Sequence, residues 1–207
     1  MPPSKAAKGE YIETDTGNKI SRRSQIHGTQ HIVLGGKTVI QAEAVIRGDL
    51  SLSRPATTSN DANNPSTPTQ AQNPNTPSVA VNVGRYTYIS KSAILRPPSK
   101  VMGGMHVFTQ LRIGEHCFVG EGAIVEAGSV GSHVHIGKGA VIGSLVIIKD
   151  YAWVLDDAVV PAGMVVPSWC VVGGRPARIV GEVGEGYGVE GAEGGMMREM
   201  YRVVGRP

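Results

Sequence analysis

The sequence predicts an all-β fold, a left-handed parallel β-helix of about seven coils carrying a short C-terminal α-helix. Three observations predict it. First, Val130, Ile136, Ile142, Ile148, Val154, Val160, Val166 and Val172 recur every six residues, a period that belongs neither to a helix nor to a simple strand alternation. Second, the residue two before each of these is mostly small or slim: Val134, Ala140, Val146, Ala152, Ala158 and Cys170, with Met164 the exception. Side chains alternate along a strand, so both positions face inward. Third, glycine often follows the aliphatic, as at Gly131, Gly137, Gly143 and Gly173, where it suits a tight corner. Each hexapeptide is then one side of a three-sided prism. The hand is that of known hexapeptide prisms, against the usual right-handed crossover.

The elements follow in order. Residues 1–24 form an N-terminal segment. The prism is expected over 25–180, opening with Leu34, Ile40, Ile46 and Leu50. Residues 54–78 interrupt it with Pro55, Pro65, Pro68, Pro74 and Pro77 and no large apolar side chain. Such a stretch cannot offset its ordering entropy, so a disordered corner insertion is expected. Val83, Ile89 and Leu95 resume the phase. Val101 and Val107 continue it numerically, but Pro97 and Pro98 make 97–112 an irregular segment. Ile113, Val119 and Val125 follow, one residue being dropped before Val130. Residues 181–195 read as a Gly/Glu-rich linker. Met196, Met197, Met200, Tyr201 and Val204 lie at helical spacing, predicting a helix that packs its methionines on the prism.

Composition narrows the function classes. The net charge of +3 is small, and the basic residues Lys5, Lys8, Lys19, Arg22 and Arg23 read as a solvated tail. Aromatic content is 5%, without the basic-aromatic interleaving that stacks bases, so no nucleic-acid partner is expected. No 18-residue apolar run suggests membrane insertion, and Met-Pro-Pro-Ser-Lys lacks the apolar stretch of a signal peptide. An intracellular protein is the expectation. Cys117 and Cys170 occupy one inward column three coils apart, on the order of 14 Å at about 4.8 Å per coil. That is beyond disulfide reach, so both read as buried core thiols.

Prisms of this type include acyltransferases, gamma-class carbonic anhydrases and non-catalytic subunits. The chain resembles gamma carbonic anhydrases at Ile46-Arg47-Gly48-Asp49. By that resemblance, the three zinc-ligand positions fall on Arg96, Glu121 and Glu126. None is histidine, so no metal site and no cofactor are expected. Gly173-Gly174-Arg175-Pro176-Ala177-Arg178 is similar to the closing turn of hexapeptide acyltransferases, which need a histidine base. Among His27, His31, His106, His116, His133 and His135, only His106 has a loop setting, and no carboxylate near it in sequence orients it. The Gly120-x-Gly122 and Gly137-x-Gly139 sets precede no helix, so they are corners of the prism. No catalytic residue is assigned.

A more specific resemblance is carried by Tyr11-Ile12-Glu13-Thr14, Gly17-Asn18-Lys19, Gln30-His31-Ile32-Val33-Leu34-x-Gly36-Lys37-Thr38 and Ile46-Arg47-Gly48-Asp49-Leu50. Leu95-Arg96-Pro97-Pro98, Ile113-Gly114-Glu115-His116-Cys117-Phe118-Val119 and Ser132-His133-Val134-His135-Ile136-Gly137-Lys138 extend it. Over about 11–180 the chain resembles the dynactin subunit 5 family. That resemblance implies a non-catalytic subunit of the dynactin pointed-end complex, in the cytoplasm and on the cytoskeleton. It implies pairing with dynactin subunit 6, with the pointed-end actin-related protein and the 62-kDa dynactin subunit as neighbours, filament-end capping, and contact with dynein cargo adaptors. The alternative is a hexapeptide-repeat enzyme.

The repeat itself places a candidate partner-binding strip. One side of the prism stacks His116, His133, Tyr151 and Trp169 in one outward column. Phe118, His135, Trp153 and Val171 form the second. Exposed aromatic strips of this kind mark interaction surfaces. The next side offers Ile124, Val141 and Val159 as another outward apolar column, and the C-terminal helix could lie on either.

Overall fold

The computed structural model describes residues 10–50, 79–102, 105–184 and 195–204. The expected corner insertion at 54–78 lies outside the described residues. Most of the chain forms a left-handed parallel β-helix whose three faces are three sheets. The first face stacks Lys19–Ser21, Val39–Ile40, Tyr88–Ile89, Phe118–Val119, His135–Ile136, Trp153–Val154 and Cys170–Gly174 in parallel. An antiparallel strand closes each end of it, Tyr11–Glu13 below and Ala177–Glu182 above. The second face runs from Gln25–His27 to Val159–Val160, and the third from Ile32–Leu34 to Val165–Val166, each with six strands.

Four sequence expectations need correction. The parallel ladder begins at Lys19, ahead of position 25, because Lys19 and Ile20 pair with Val39 and Ile40. Residues 97–112 are not irregular. Ser99–Met102 and Met105–Phe108 form an antiparallel hairpin, anchored where Ser99 N–H donates to Ser144 Oγ at 3.0 Å. The linker is shorter than 181–195, since strand continues to Glu182 and the helix starts at Gly195. The methionine stripe is mostly not core: Met197 is 4% exposed, but Met196 is 45% exposed.

The periodic residues do form the core. Val130, Ile136, Ile142, Ile148, Val154, Val160, Val166 and Val172 are all buried, as are Val134, Ala140, Val146, Ala152 and Ala158. Met164 is partly buried against them. The glycines after the aliphatics serve close stacking rather than a special dihedral. A Cβ at Gly137 would lie 2.5 Å from Asp156 N, and one at Gly114 would lie 2.5 Å from Gly131 O. The left-handed residue comes two positions later, at φ 57° for His133, 61° for Leu145, 58° for Tyr151, 56° for Asp157 and 62° for Trp169. Side chains rarely take that conformation, and here it recurs at the prism corners.

The inward small column of the first face is partly polar. Asn18, Thr38 and Thr87 are buried in it. Thr38 Oγ1 donates to Gly84 O at 3.1 Å, and Thr87 Oγ1 to Gly114 O at 3.0 Å. Cys117 Sγ continues the series to Gly131 O at 3.0 Å. Thr38, Thr87 and Cys117 each bond a corner carbonyl of the next coil, and Asn18 Oδ1 accepts the Thr38 N–H, so these groups tie coils together rather than merely filling space. Both cysteines are free, but Cys170 is only half-buried because it stands in the terminal coil.

Candidate interaction surface

All of the sequence-predicted strip residues lie on the first face. His116, His133, Tyr151 and Trp169 occupy left-handed corner positions, which aim their side chains into one column. Their rings stack at centroid distances of 5.0 Å (His116–His133), 4.8 Å (His133–Tyr151) and 4.2 Å (Tyr151–Trp169). Phe118, His135 and Trp153 stand in register beside them, at 4.7 Å and 4.6 Å. Coil spacing alone brings rings to stacking distance.

The strip extends further than the sequence reading placed it. Tyr86 stacks on His116 at 5.1 Å, and Tyr88 on Phe118 at 5.7 Å. Both were legible, since they follow Val83 by the same three and five residues that place His116 and Phe118 after Ile113. Lys37 Nζ donates to Tyr86 Oη at 2.9 Å at the lower end. Gln41 Nε2 donates to Tyr88 Oη.

The helix α1, Gly195–Val203, covers the lower part of this face. Tyr201 meets Tyr86 edge-on at 6.4 Å, and Arg198 lies 5.4 Å above the Tyr86 ring. Tyr201 Oη donates to Gly17 O at 2.7 Å. A groove of about 480 Å³ remains beside it, lined in part by Tyr88, Phe118, His135 and Met200. The second face carries a half-exposed aliphatic column of Val45, Ile94, Ile124, Val141 and Val159, and α1 does not lie there.

Burial pushes the His116 and His135 imidazoles below the ordinary histidine value, His133 and Arg198 adding to the effect at His116. The Nδ1 atom of each is buried and has no hydrogen-bond partner among the described residues. A neutral ring inside an aromatic stack suits such a setting. Both rings pack within the stack, and His135 also lines the groove.

The positions matching zinc ligands are otherwise engaged. Arg96 pairs with Glu126, and Glu121 lies 3.5 Å from Lys138. Arg47 makes a bidentate pair with Asp49 at 2.7 and 2.8 Å, which holds the Asp49 carboxyl below its usual range. Among the described residues, no group of three or more His, Cys, Asp and Glu could hold a metal ion. His106 is exposed on the hairpin. His27 is exposed and His31 half-buried near the bottom of the prism, so neither joins the strip.

Comparison with known proteins agrees with this architecture. A hexapeptide transferase family protein from Anaplasma phagocytophilum superposes with a TM-score of 0.57 at 14% identity, over 90% of this chain and 92% of that one. A mutant of the N-acyltransferase AntD from Bacillus cereus superposes with a TM-score of 0.62 at 13% identity, over 93% and 100%. At such identities the likeness shows the fold alone. Dynactin subunit 5 of Dictyostelium discoideum is 34% identical over 129 residues, 62% of this chain. The chain matches 51% of that relative's length, about half of it. The family model for dynactin subunit 5 matches residues 5–59 and 76–190, leaving 60–75 unmatched. The chain belongs to the dynactin subunit 5 family.

Proposed function

We propose that the chain is a non-catalytic structural subunit of the dynactin pointed-end complex. In this reading it works in the cytoplasm, pairs with dynactin subunit 6, and neighbours the pointed-end actin-related protein and the 62-kDa dynactin subunit. It supports filament-end capping and the binding of dynein cargo adaptors. The observation that carries the reading is the family match across the whole prism. The ion pairs of Arg96 with Glu126 and Glu121 with Lys138 favour a scaffold over a metal enzyme, since those side chains spend their charge on each other. The aromatic strip is the binding face in this reading, because aromatic side chains dominate interface hot spots.

The test is capture. The purified chain is mixed with dynactin subunit 6, the pointed-end actin-related protein and the 62-kDa subunit, and the complex is sized. The expected result is a stable assembly that the folded Tyr151→Ala/Trp153→Ala variant weakens. No assembly, together with one zinc per chain and hydratase activity, or with acyl transfer from an acyl-coenzyme A donor, would establish the enzyme reading instead.

A further inference from the structure

Three cations gather at the lower end of the first face, where α1 is seated. Lys37 holds a left-handed corner at φ 60°, one coil below Tyr86 at φ 53°, in the register set by Val39 and Tyr88. Arg85 precedes Tyr86 on the same corner, and its carbonyl accepts the His116 N–H at 2.9 Å. Arg198 reaches the same place from α1. Lys37 Nζ lies 5.3 Å and Arg198 Cζ 5.4 Å from the centre of the Tyr86 ring. All three basic residues are exposed.

None of the three joins an ion pair among the described residues; the ion pairs there belong to Arg23, Arg47, Arg96, Lys138 and Arg175. The nearby carboxylates are scattered. Glu115 stands one coil above Arg85, Glu13 accepts the Tyr201 hydroxyl at 3.5 Å, and Glu199 lines a pocket beside Tyr88. The hydrogen-bond donors are correspondingly unspent. Lys37 Nζ donates to Tyr86 Oη at 2.9 Å and keeps its other protons. The Tyr86 hydroxyl accepts that bond, and its own proton has no acceptor among the described residues. The Arg85 and Arg198 guanidinium groups make no hydrogen bond among the described residues.

Two neighbouring rings register the resulting positive field. The Lys37 hydrogen bond, then the charges of Lys37, Arg198 and Arg85, hold the Tyr86 phenol below its ordinary value. Arg198 and Arg85 act in the same direction on His116, behind burial and His133.

We infer that Lys37, Arg85, Arg198 and the Tyr86 hydroxyl bind the phosphate of a phosphorylated segment from a partner protein. A phosphate monoester carries about two charges and three strong acceptor oxygens, which suits several cations and a hydroxyl donor better than one carboxylate does. The pocket between α1 and Tyr88, about 340 Å³ and lined by Met196, Met200 and Val203, seats an apolar side chain next to the phosphorylated residue. An anionic membrane fits less well. Three cations interspersed with Glu13, Glu115 and Glu199 are not the run of about four to eight basic residues that such a surface attracts. Lys37 and Arg85 belong to the prism and Arg198 to α1, so a bound phosphate also staples the helix to its seat.

The test titrates the isotope-labelled full chain with the peptide acetyl-Gly-Gly-phosphoserine-Leu-Gly-amide and follows amide shifts by NMR. Saturable shifts at Arg85, Tyr86 and Arg198 are expected. The same peptide with serine or glutamate in place of phosphoserine should bind at least about tenfold more weakly. Lys37→Gln and Arg198→Gln, both at exposed side chains, should each weaken phosphopeptide binding about tenfold, with protection at Ile136 and Ile142 unchanged as the check on folding. Amide exchange over 196–204 should slow when the phosphopeptide is bound.

No saturable shift with the phosphopeptide, or equal affinity for the glutamate peptide, overturns the inference. Unchanged affinity in the Lys37→Gln/Arg198→Gln variant puts the anion elsewhere and overturns it as well. Inorganic phosphate binding as tightly as the peptide assigns the site to the free ion. Binding of phosphoinositide vesicles without a peptide response assigns it to a lipid. Either result overturns the inference. The site lies outside the residues varied in the capture test, so its failure leaves the proposed function standing.

Discussion

Lys19 Nζ donates to the Tyr201 carbonyl at 2.9 Å and sits 4.5 Å from the centre of the Tyr201 ring. It also bonds Val204 O at 2.5 Å. A cation from the first strand of the prism thus caps the C-terminus of the last helix, where carbonyls lack intrahelical partners and the dipole is negative. The Gly17-Asn18-Lys19 motif divides this labour. Gly17, at φ 75°, offers its carbonyl to Tyr201; Asn18 Oδ1 accepts Thr38 N–H at 2.9 Å; Lys19 caps the helix.

Lys19→Ala is therefore expected to free α1 while leaving the prism folded. Amide hydrogen exchange should show faster exchange over 196–204 and unchanged protection at Ile136, Ile142 and Val154. Tyr201→Phe removes one hydrogen bond and should cost about 1 kcal/mol. Unchanged helix protection in Lys19→Ala would show that ring packing alone seats the helix.

The corner dihedrals give opposite outcomes at two sites. Ser92 is exposed at φ 55°, and its hydroxyl reaches Glu43 at only 3.3 Å. Ser92→Gly should stabilise the chain by about 1 kcal/mol by relieving the left-handed strain. Tyr151 has φ 58° but stacks between His133 and Trp169. Tyr151→Gly should destabilise despite the same relief, because two ring contacts are lost. Urea denaturation midpoints of the two variants check the sign.

The two thiols should react very differently. Burial pushes the Cys117 thiol up to about 12, and its Sγ is tied to Gly131 O. Cys170 is half-buried in the terminal coil. Iodoacetamide at pH 8 should label one thiol per native chain, at Cys170, and two only after unfolding. Cys117→Ser, which keeps a donor in place, should be tolerated better than Cys117→Ala.

Acid should weaken the fold partly through the stack. His116 and His135 are held below histidine's ordinary value of 6.5, so the folded state prefers both neutral. The unfolded chain takes up those protons more readily. Their stabilising contribution is therefore present above pH 6.5 and lost as pH falls through the depressed folded values. The His116→Phe/His135→Phe variant should show a flatter fall in denaturation midpoint between pH 7 and 5. An identical slope in both proteins would show that other groups govern the acid response.

The sequence by itself determined the architecture and one outward strip. A six-residue period leaves a single way to bury Val130, Ile136, Ile142 and their successors, and side-chain alternation then fixes which residues point outward. His116, Phe118, His133, His135, Tyr151, Trp153 and Trp169 could be placed on one face for that reason. Tyr86 and Tyr88 were in the same register, but only the stacking distances made them part of the strip. The tertiary structure decided what lies on that face. Methionines at helical spacing do not say which side of a prism they meet, because that choice depends on contacts nearly the whole chain apart, such as Lys19 with Tyr201. It also decided the polar inner column and the pairing of Arg96 with Glu126. Coil stacking brings those groups together in space, and a one-dimensional period carries no information about which side chain will bond which carbonyl.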